Sequence, residues 1–309
     1  MVSTFTQLQW DEETLEDARQ LIRLAVREDL SNQQDWTTLA TVGGELKSSA
    51  AIVARQSGVV AGIGIVTAVF HEMNISADVD LFVTDGDELV PGTELCSINA
   101  LSRDLLTAER TILNFLGRMC GVATQAATYV QLLENTLAKV YDTRKTTPGW
   151  RRLEKYAVRC GGGQNHRTGL FDAILIKDNH LAANAHQNGI ENSQAAVVDV
   201  LSKARQFLES LGADRVANTP IEIEVDTLSQ LAAALPCHPD IVLLDNMTLE
   251  ELRQAVALRE QLSPETQLEA SGGITFKTLS DIGKTGVDRI SVGALTHSAI
   301  NLDLGLDWQ

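Results

Sequence analysis

No two cysteines of this sequence stand at C-x-x-C spacing. Cys96, Cys120, Cys160 and Cys237 are far apart, so neither a zinc site nor a disulfide framework is expected, and the four thiols should be reduced and buried. No run approaches the ~18 apolar residues of a membrane span. The opening MVSTFTQLQWDEET has no basic stretch followed by an apolar one, so no export leader is expected and the chain should work in the cytoplasm. Positive charge is scarce: 25 Lys and Arg against 41 Asp and Glu leave a net charge of −16. That argues against nucleic acid as a partner, because a phosphate backbone demands a broad basic face. There is no Ser-His-Asp or Cys-His arrangement, so no chemistry requiring a protein nucleophile is indicated.

What is present describes an ordinary globular protein, with 44% hydrophobic and 21% charged residues over 309 positions. That length favours two domains. Leu15, Ala18, Leu21, Ile22, Ala25 and Val26 recur at helical spacing and predict a helix over 11–29, capped by Asp11 or Thr14. The next segment, EDLSNQQDWTTLAT, reads as a loop. Short apolar or alternating runs at 49–54, 58–61, 78–83 and 88–98, with one helix near 63–73 and a Pro91-Gly92 turn, predict a small α+β sandwich domain over 1–120. From Leu105 to Leu137 the pattern is helical, with Gly117 and Gly121 either dividing it or marking close packing.

A second rhythm starts after Lys139. Strand-like runs at 139–142, 173–176, 221–225, 240–244, 266–270 and 288–292 alternate with helical stretches, which predicts βαβ units and an open α/β barrel over 121–309, its last residues packing back on the first domain. The polar residues fall at one end of these strands. Arg144 and Lys145 follow the first, Lys177 the second, Glu224 closes the third, Asp245 follows the fourth, Ser271-Gly272-Gly273 the fifth, and Gly293-Ala294 the sixth. The C-terminal ends of strands are where α/β barrels place their sites. The segment 181–219, helical at 194–212, reads as an excursion without identifiable chemistry.

Cations concentrate in 142–180, which holds eight of the 25 Lys and Arg against four carboxylates, a local charge of +4. Such a concentration suits a compact, multiply charged anion. Arg151, Arg152, Lys155 and Arg159, at helical spacing, read instead as a solvated basic face. The glycines at 272–273 and 293 could expose backbone N–H groups to a phosphate, and Glu224 with Asp245 could hold ribose hydroxyls or a hard cation.

The strings TAERTILNFLGRMCG, YDTRKTTPGWRRLEKYAVRCGGGQNHRTGLFDAILIKDNH, IEIEVDT, VLLDNM, LEASGGI and GVDRISVGALTHSA, in this order, resemble quinolinate phosphoribosyltransferase. The resemblance implies transfer of phosphoribose from phosphoribosyl pyrophosphate to quinolinate with Mg²⁺, giving nicotinate mononucleotide, pyrophosphate and carbon dioxide for NAD synthesis. It implies catalytic roles for Lys145, Lys177, Glu224 and Asp245. It places Arg110, Thr143, Arg144, Lys145, His166, Arg167, Lys177, Glu224 and Asp245 against substrates, and Ser271, Gly272, Gly273, Val292, Gly293 and Ala294 around a phosphate. Glu224 and Asp245 would hold the Mg²⁺, directly or through water. It further implies a homodimer, or a higher oligomer built from it, in which Arg110 completes the partner's site. Two other readings compete: a paralogous phosphoribosyltransferase acting on another small acid such as nicotinate, and a non-catalytic anion-binding protein.

Overall fold

The structure is a computed structural model describing residues 5–309. In chain order its elements are α1 (Glu12–Leu30), α2 (Trp36–Thr41), β1 (Lys47–Ala54), β2 (Gly58–Val59), α3 (Ile65–Glu72), β3 (Asp78–Leu81), β4 (Glu88–Leu89), β5 (Glu94–Leu101), α4 (Ser102–Gln131), β6 (Lys139–Tyr141), α5 (Arg151–Cys160), β7 (Ile174–Ile176), α6 (Asp178–Asn188), α7 (Ser193–Leu211), α8 (Ala213–Asn218), β8 (Ile221–Val225), α9 (Leu228–Ala234), β9 (Ile241–Asp245), α10 (Leu249–Leu262), β10 (Gln267–Ser271), α11 (Phe276–Gly283), β11 (Arg289–Ser291), α12 (Ala294–His297) and β12 (Leu304–Trp308). They fall into two compact units. One holds 8–128, 145–163 and 294–309; the other holds 5–7, 129–144 and 164–293. The expected return of the last residues to the first unit is present, and 121–128 and 145–163 belong to that unit as well.

The first unit is built on an antiparallel sheet of order β12-β1-β5-β3, with β2 and β4 forming a separate pair. The terminal strand β12 lies against β1, Ile52 opposite Leu306, so the end of the chain closes this sheet. Helix α1 starts where Asp11 accepts the Thr14 N–H at 2.8 Å. Residues 36–41, read from sequence as loop, form α2. Asp35 caps it by accepting from Thr38 N–H at 3.0 Å, which offsets the poor helix propensity of the paired threonines. Helix α4 is continuous, so Gly117 and Gly121 do not divide it. A Cβ on Gly121 would stand 2.0 Å from the Ile300 carbonyl oxygen, which makes this glycine a close-approach position.

The basic helix α5 also departs from its sequence reading. Leu153 to Val158 are all buried, Lys155 among them, and Arg152 pairs with Glu13 (2.7 Å) and Asp17 (3.0 Å). Buried Glu154 meets Arg118 Nε at 3.1 Å and the Thr147 hydroxyl at 2.9 Å. These charges are tied into the unit, not solvated. The expectation of four buried thiols holds for Cys96 and Cys120, while Cys160 and Cys237 are half-buried; all four are free.

The second unit carries a six-stranded parallel sheet, β7-β8-β9-β10-β11-β6, with helices between successive strands. Parallel strands covered by crossover helices are buried, as the run Ile241–Leu244 shows. The supposed excursion contains one of these crossovers: α7 buries Ala196, Val197, Val200, Leu201 and Leu208 between β7 and β8. Side chains from two of the sheet's strands meet over one face: Glu222 on β8 and Glu269 on β10 both lie within 3.6 Å of His166 Nε2.

No helix among the described residues is long and apolar enough to cross a membrane.

Candidate active site

In-register pairing brings the polar strand ends of the second unit to one edge. Asp245 aligns with Ser271, Glu224 with Leu243, and Ile176 with Ile223, so Lys177 and Glu224 emerge side by side. Their side chains form an ion pair. Because side chains alternate along a strand, Leu243, Asp245 and Glu224 share one face, with Asp245 one step nearer the edge. Asp245 accepts from Asn246 Nδ2 at 2.7 Å, and the Asn246 N–H donates to the Ser271 carbonyl at 3.0 Å. The loops after β9 and β10 are thereby tied together.

Gly272 and Gly273 have φ of 86° and 60°, a conformation that disfavours side chains. A Cβ on Gly272 would come within 2.3 Å of Asn246 Oδ1, whereas one on Gly273 would meet nothing within 4 Å. Gly272 therefore permits the contact between loops, and Gly273 leaves backbone open to a ligand. The Val292 N–H is used internally, donating to the Tyr141 carbonyl at 2.9 Å.

The cations beside this edge are partly buried. Arg167 is buried with its Nε lacking a hydrogen-bond partner, and its pKa is pushed down by burial and by the like charge of Arg144. Glu222 and Asp172 act in the opposite sense on Arg167, so the charge around it is mixed, and its unpartnered Nε is the donor left for an anion. The turn after Arg167 is rigid: the Thr168 and Gly169 N–H groups donate to Asp172 at 2.6 and 3.1 Å. Of the remaining expected residues, Thr143 and Lys177 are half-buried and Lys145 is exposed. Arg110 is exposed on α4, 4.0 Å from Glu109. Lys145, Ala294 and Arg110 belong to the first compact unit; the others belong to the second.

Below the edge lies a buried charged cluster that the sequence reading missed. His166, 5% exposed, places Nε2 2.9 Å from Glu222 and 3.6 Å from Glu269. Arg289, 1% exposed, donates through Nε to Glu269 at 2.7 Å and through Nη1 to Gln267 at 3.2 Å. Its guanidinium lies over the rings of Tyr141 (3.6 Å) and Phe5 (4.8 Å), and Phe5 packs on His166 at 4.3 Å. Burial favours a neutral His166 ring, but Glu222 and Glu269 outweigh it and raise its pKa. Burial likewise opposes ionisation of Glu222, yet His166, Arg289 and Arg167 hold its pKa below the usual carboxylate value. His166, Glu222 and Glu269 lie close enough to share a metal ion, but Arg289 already supplies compensating charge there.

Comparison with known proteins bears on both units at once. The family profiles described as Quinolinate phosphoribosyl transferase, N-terminal domain and C-terminal domain match residues 35–120 and 122–307. The chain belongs to the quinolinate phosphoribosyltransferase family. It is 43% identical to the nicotinate-nucleotide pyrophosphorylase [carboxylating] of Mycobacterium leprae, over 94% of this chain and 96% of that one. It is 38% identical to the probable nicotinate-nucleotide pyrophosphorylase [carboxylating] of Bacillus subtilis, over 87% of this chain and 86% of that one. The solved nicotinate-nucleotide pyrophosphorylase from Francisella tularensis superposes with a TM-score of 0.86 at 32% identity, covering 99% of this chain and all of that one. As a quinolinate phosphoribosyltransferase family member, the chain has both parts that the family profiles describe: a small mixed α/β domain and a parallel-sheet α/β domain.

Proposed function

We propose that this protein joins quinolinate to phosphoribosyl pyrophosphate, releasing pyrophosphate and carbon dioxide and forming nicotinate mononucleotide for NAD synthesis. The observation that carries this is buried Arg167, its Nε unpartnered, in the unit whose strand ends bring Lys177, Glu224 and Asp245 together, with Arg144 following β6 in the same unit. Quinolinate has two adjacent carboxylates, and two neighbouring guanidiniums meet both. A monoacid would leave one buried cation without its anion, a penalty that supplies discrimination.

On this reading Arg144, Arg167 and Thr143 hold the diacid so that its ring nitrogen faces the anomeric carbon. The 5′-phosphate lies on the backbone of 271–273 and Gly293. Glu224 and Asp245 hold the ribose hydroxyls, and their negative charge favours the oxocarbenium-like state that develops as the C–O bond to pyrophosphate lengthens. Lys177, released from Glu224, neutralises leaving-group charge. Once the N–C bond has formed, the ring nitrogen is positive, and the electron pair of the adjacent C–COO⁻ bond flows into the ring as carbon dioxide departs; a proton then takes the vacated carbon. The hard oxygens of half-buried Glu224 and Asp245 suit Mg²⁺, which when bound would neutralise pyrophosphate charge. Arg110, exposed on α4, completes the site of a second copy in a homodimer that works in the cytoplasm.

Incubation with phosphoribosyl pyrophosphate, Mg²⁺ and either quinolinate or nicotinate tests the proposal. Quinolinate should give carbon dioxide and nicotinate mononucleotide in equal amounts, and nicotinate should give neither; turnover of nicotinate, or binding of quinolinate without turnover, would overturn it.

A further inference from the structure

We propose that His166 is a positioning residue and not a substrate contact: through Nδ1 it fixes the main chain of Arg167, and Glu222, with Glu269 and Arg289 behind it, fixes the ring. This rests on the reading that Arg167 receives a quinolinate carboxylate.

The hydrogen-bond directions carry the inference. Nδ1 accepts the Arg167 N–H at 2.8 Å, so its lone pair is committed and the ring proton resides on Nε2. Nε2 faces Glu222 at 2.9 Å and Glu269 at 3.6 Å, both fully buried on the inner face of the sheet, so neither nitrogen is turned to the edge where substrate would lie. Phe5 covers the ring at 4.3 Å. On its other side the main chain is equally fixed: the His166 N–H donates to Asp142 Oδ1 at 2.8 Å, while Asp142 Oδ2 takes Asn165 Nδ2 at 2.7 Å. Asp172 holds the two N–H groups that follow Arg167.

Arg167 thus departs from a backbone anchored on both sides, with its buried Nε left unpartnered by protein. Anchoring reduces the ordering that ligand binding must otherwise impose on a long side chain. Glu222 needs its neighbours for this. It holds the ring by charge, its oxygen 2.9 Å from Nε2 without an aligned hydrogen bond; the imidazole, Arg289 and Arg167 balance that charge, and Arg289 neutralises Glu269 so that the two carboxylates can coexist.

The test compares His166→Ala with His166→Asn, whose Oδ1 stands where Nδ1 does and can accept the Arg167 N–H. His166→Ala should raise the quinolinate Kd by calorimetry, and its KM, about tenfold or more, with the KM for phosphoribosyl pyrophosphate unchanged and kcat little affected. His166→Asn should recover most of the loss, and Glu222→Gln should show a smaller loss of the same pattern. If His166→Asn is as impaired as His166→Ala, or if kcat falls while the quinolinate KM holds, the ring itself meets the substrate and the proposal fails. Should the alanine variant not fold, nitrogen NMR of the wild-type imidazole decides the matter. At alkaline pH, above the raised pKa of His166, Nδ1 must appear unprotonated and Nε2 protonated, with neither resonance perturbed at saturating quinolinate beyond a remote effect; there, a proton on Nδ1 or a direct quinolinate contact overturns the proposal. Wild-type protein that does not turn quinolinate over refutes the functional reading alone, because the tautomer is read without substrate.

Discussion

Replacing Arg289 by Met should destabilise the second unit by about 3–5 kcal/mol, because it removes the cation of a buried pair and leaves carboxylates behind it uncompensated. Arg289 is 1% exposed, and its Nε lies 2.7 Å from Glu269. At that separation the attraction is about 6 kcal/mol for an effective dielectric constant of ~20, before desolvation is subtracted. Met retains much of the side-chain volume and still packs on Tyr141 and Phe5, so cavity formation contributes little. The companion Glu269→Gln removes one carboxylate, and the double variant should be markedly more stable than Arg289→Met alone. Urea denaturation of the four proteins closes the cycle, with an expected coupling of about 2 kcal/mol. A single-variant loss below about 1 kcal/mol, or a coupling near zero, would mean that Arg289 acts through its ring contacts and that charge balance does not organise this interior.

Three further outcomes follow. Arg167→Lys should raise the quinolinate KM about 10- to 100-fold and erode discrimination against nicotinate, with the phosphoribosyl pyrophosphate KM unchanged; an unaltered quinolinate KM would remove Arg167 from the diacid pocket. With phosphoribosyl pyrophosphate saturating, the quinolinate KM should rise on acidification as pH falls through the raised pKa of His166. The carboxylates of Glu222 and Glu269 hold the His166 pKa above its ordinary 6.5 despite burial and Arg289; as pH falls through it, the added proton goes onto Nδ1 and the Arg167 N–H loses its acceptor. A flat profile contradicts this, and His166→Asn should show no such rise. Finally, Gly121→Ala should cost about 1–3 kcal/mol, since the new methyl would stand 2.0 Å from the Ile300 carbonyl oxygen. Gly43→Ala, with nothing within 4 Å, should be neutral in the same melts.

The strands of the second unit and the polar residues at their ends were legible because each strand is a short apolar run bounded by turn residues, and position along the strand alone puts Lys177, Glu224 and Asp245 at one edge. The interior cluster was not. In IEIEV the alternation of Glu222 and Glu224 reads as a strand with one wet face, yet both residues point the same way, one into the core and one to the rim. A signal was available: a strand between crossover helices is covered on both faces, so a charge at its middle must be paired inside. The same reasoning applied to Glu269 and Arg289 would have suggested their bond. Helix α5 was misread because helical spacing of cations does not reveal acidic partners distant in sequence, such as Glu13 and Asp17 for Arg152. The short helix α2 depends on one cap at Asp35, a local hydrogen bond that composition does not disclose.

The central claim is that Arg144 and Arg167 together take the two carboxylates of the substrate. A crystal structure of the protein with quinolinate tests it most directly: the account predicts one carboxylate on each guanidinium, at the C-terminal edge of the parallel sheet, and a ligand bound elsewhere, or with one carboxylate away from both arginines, would contradict it.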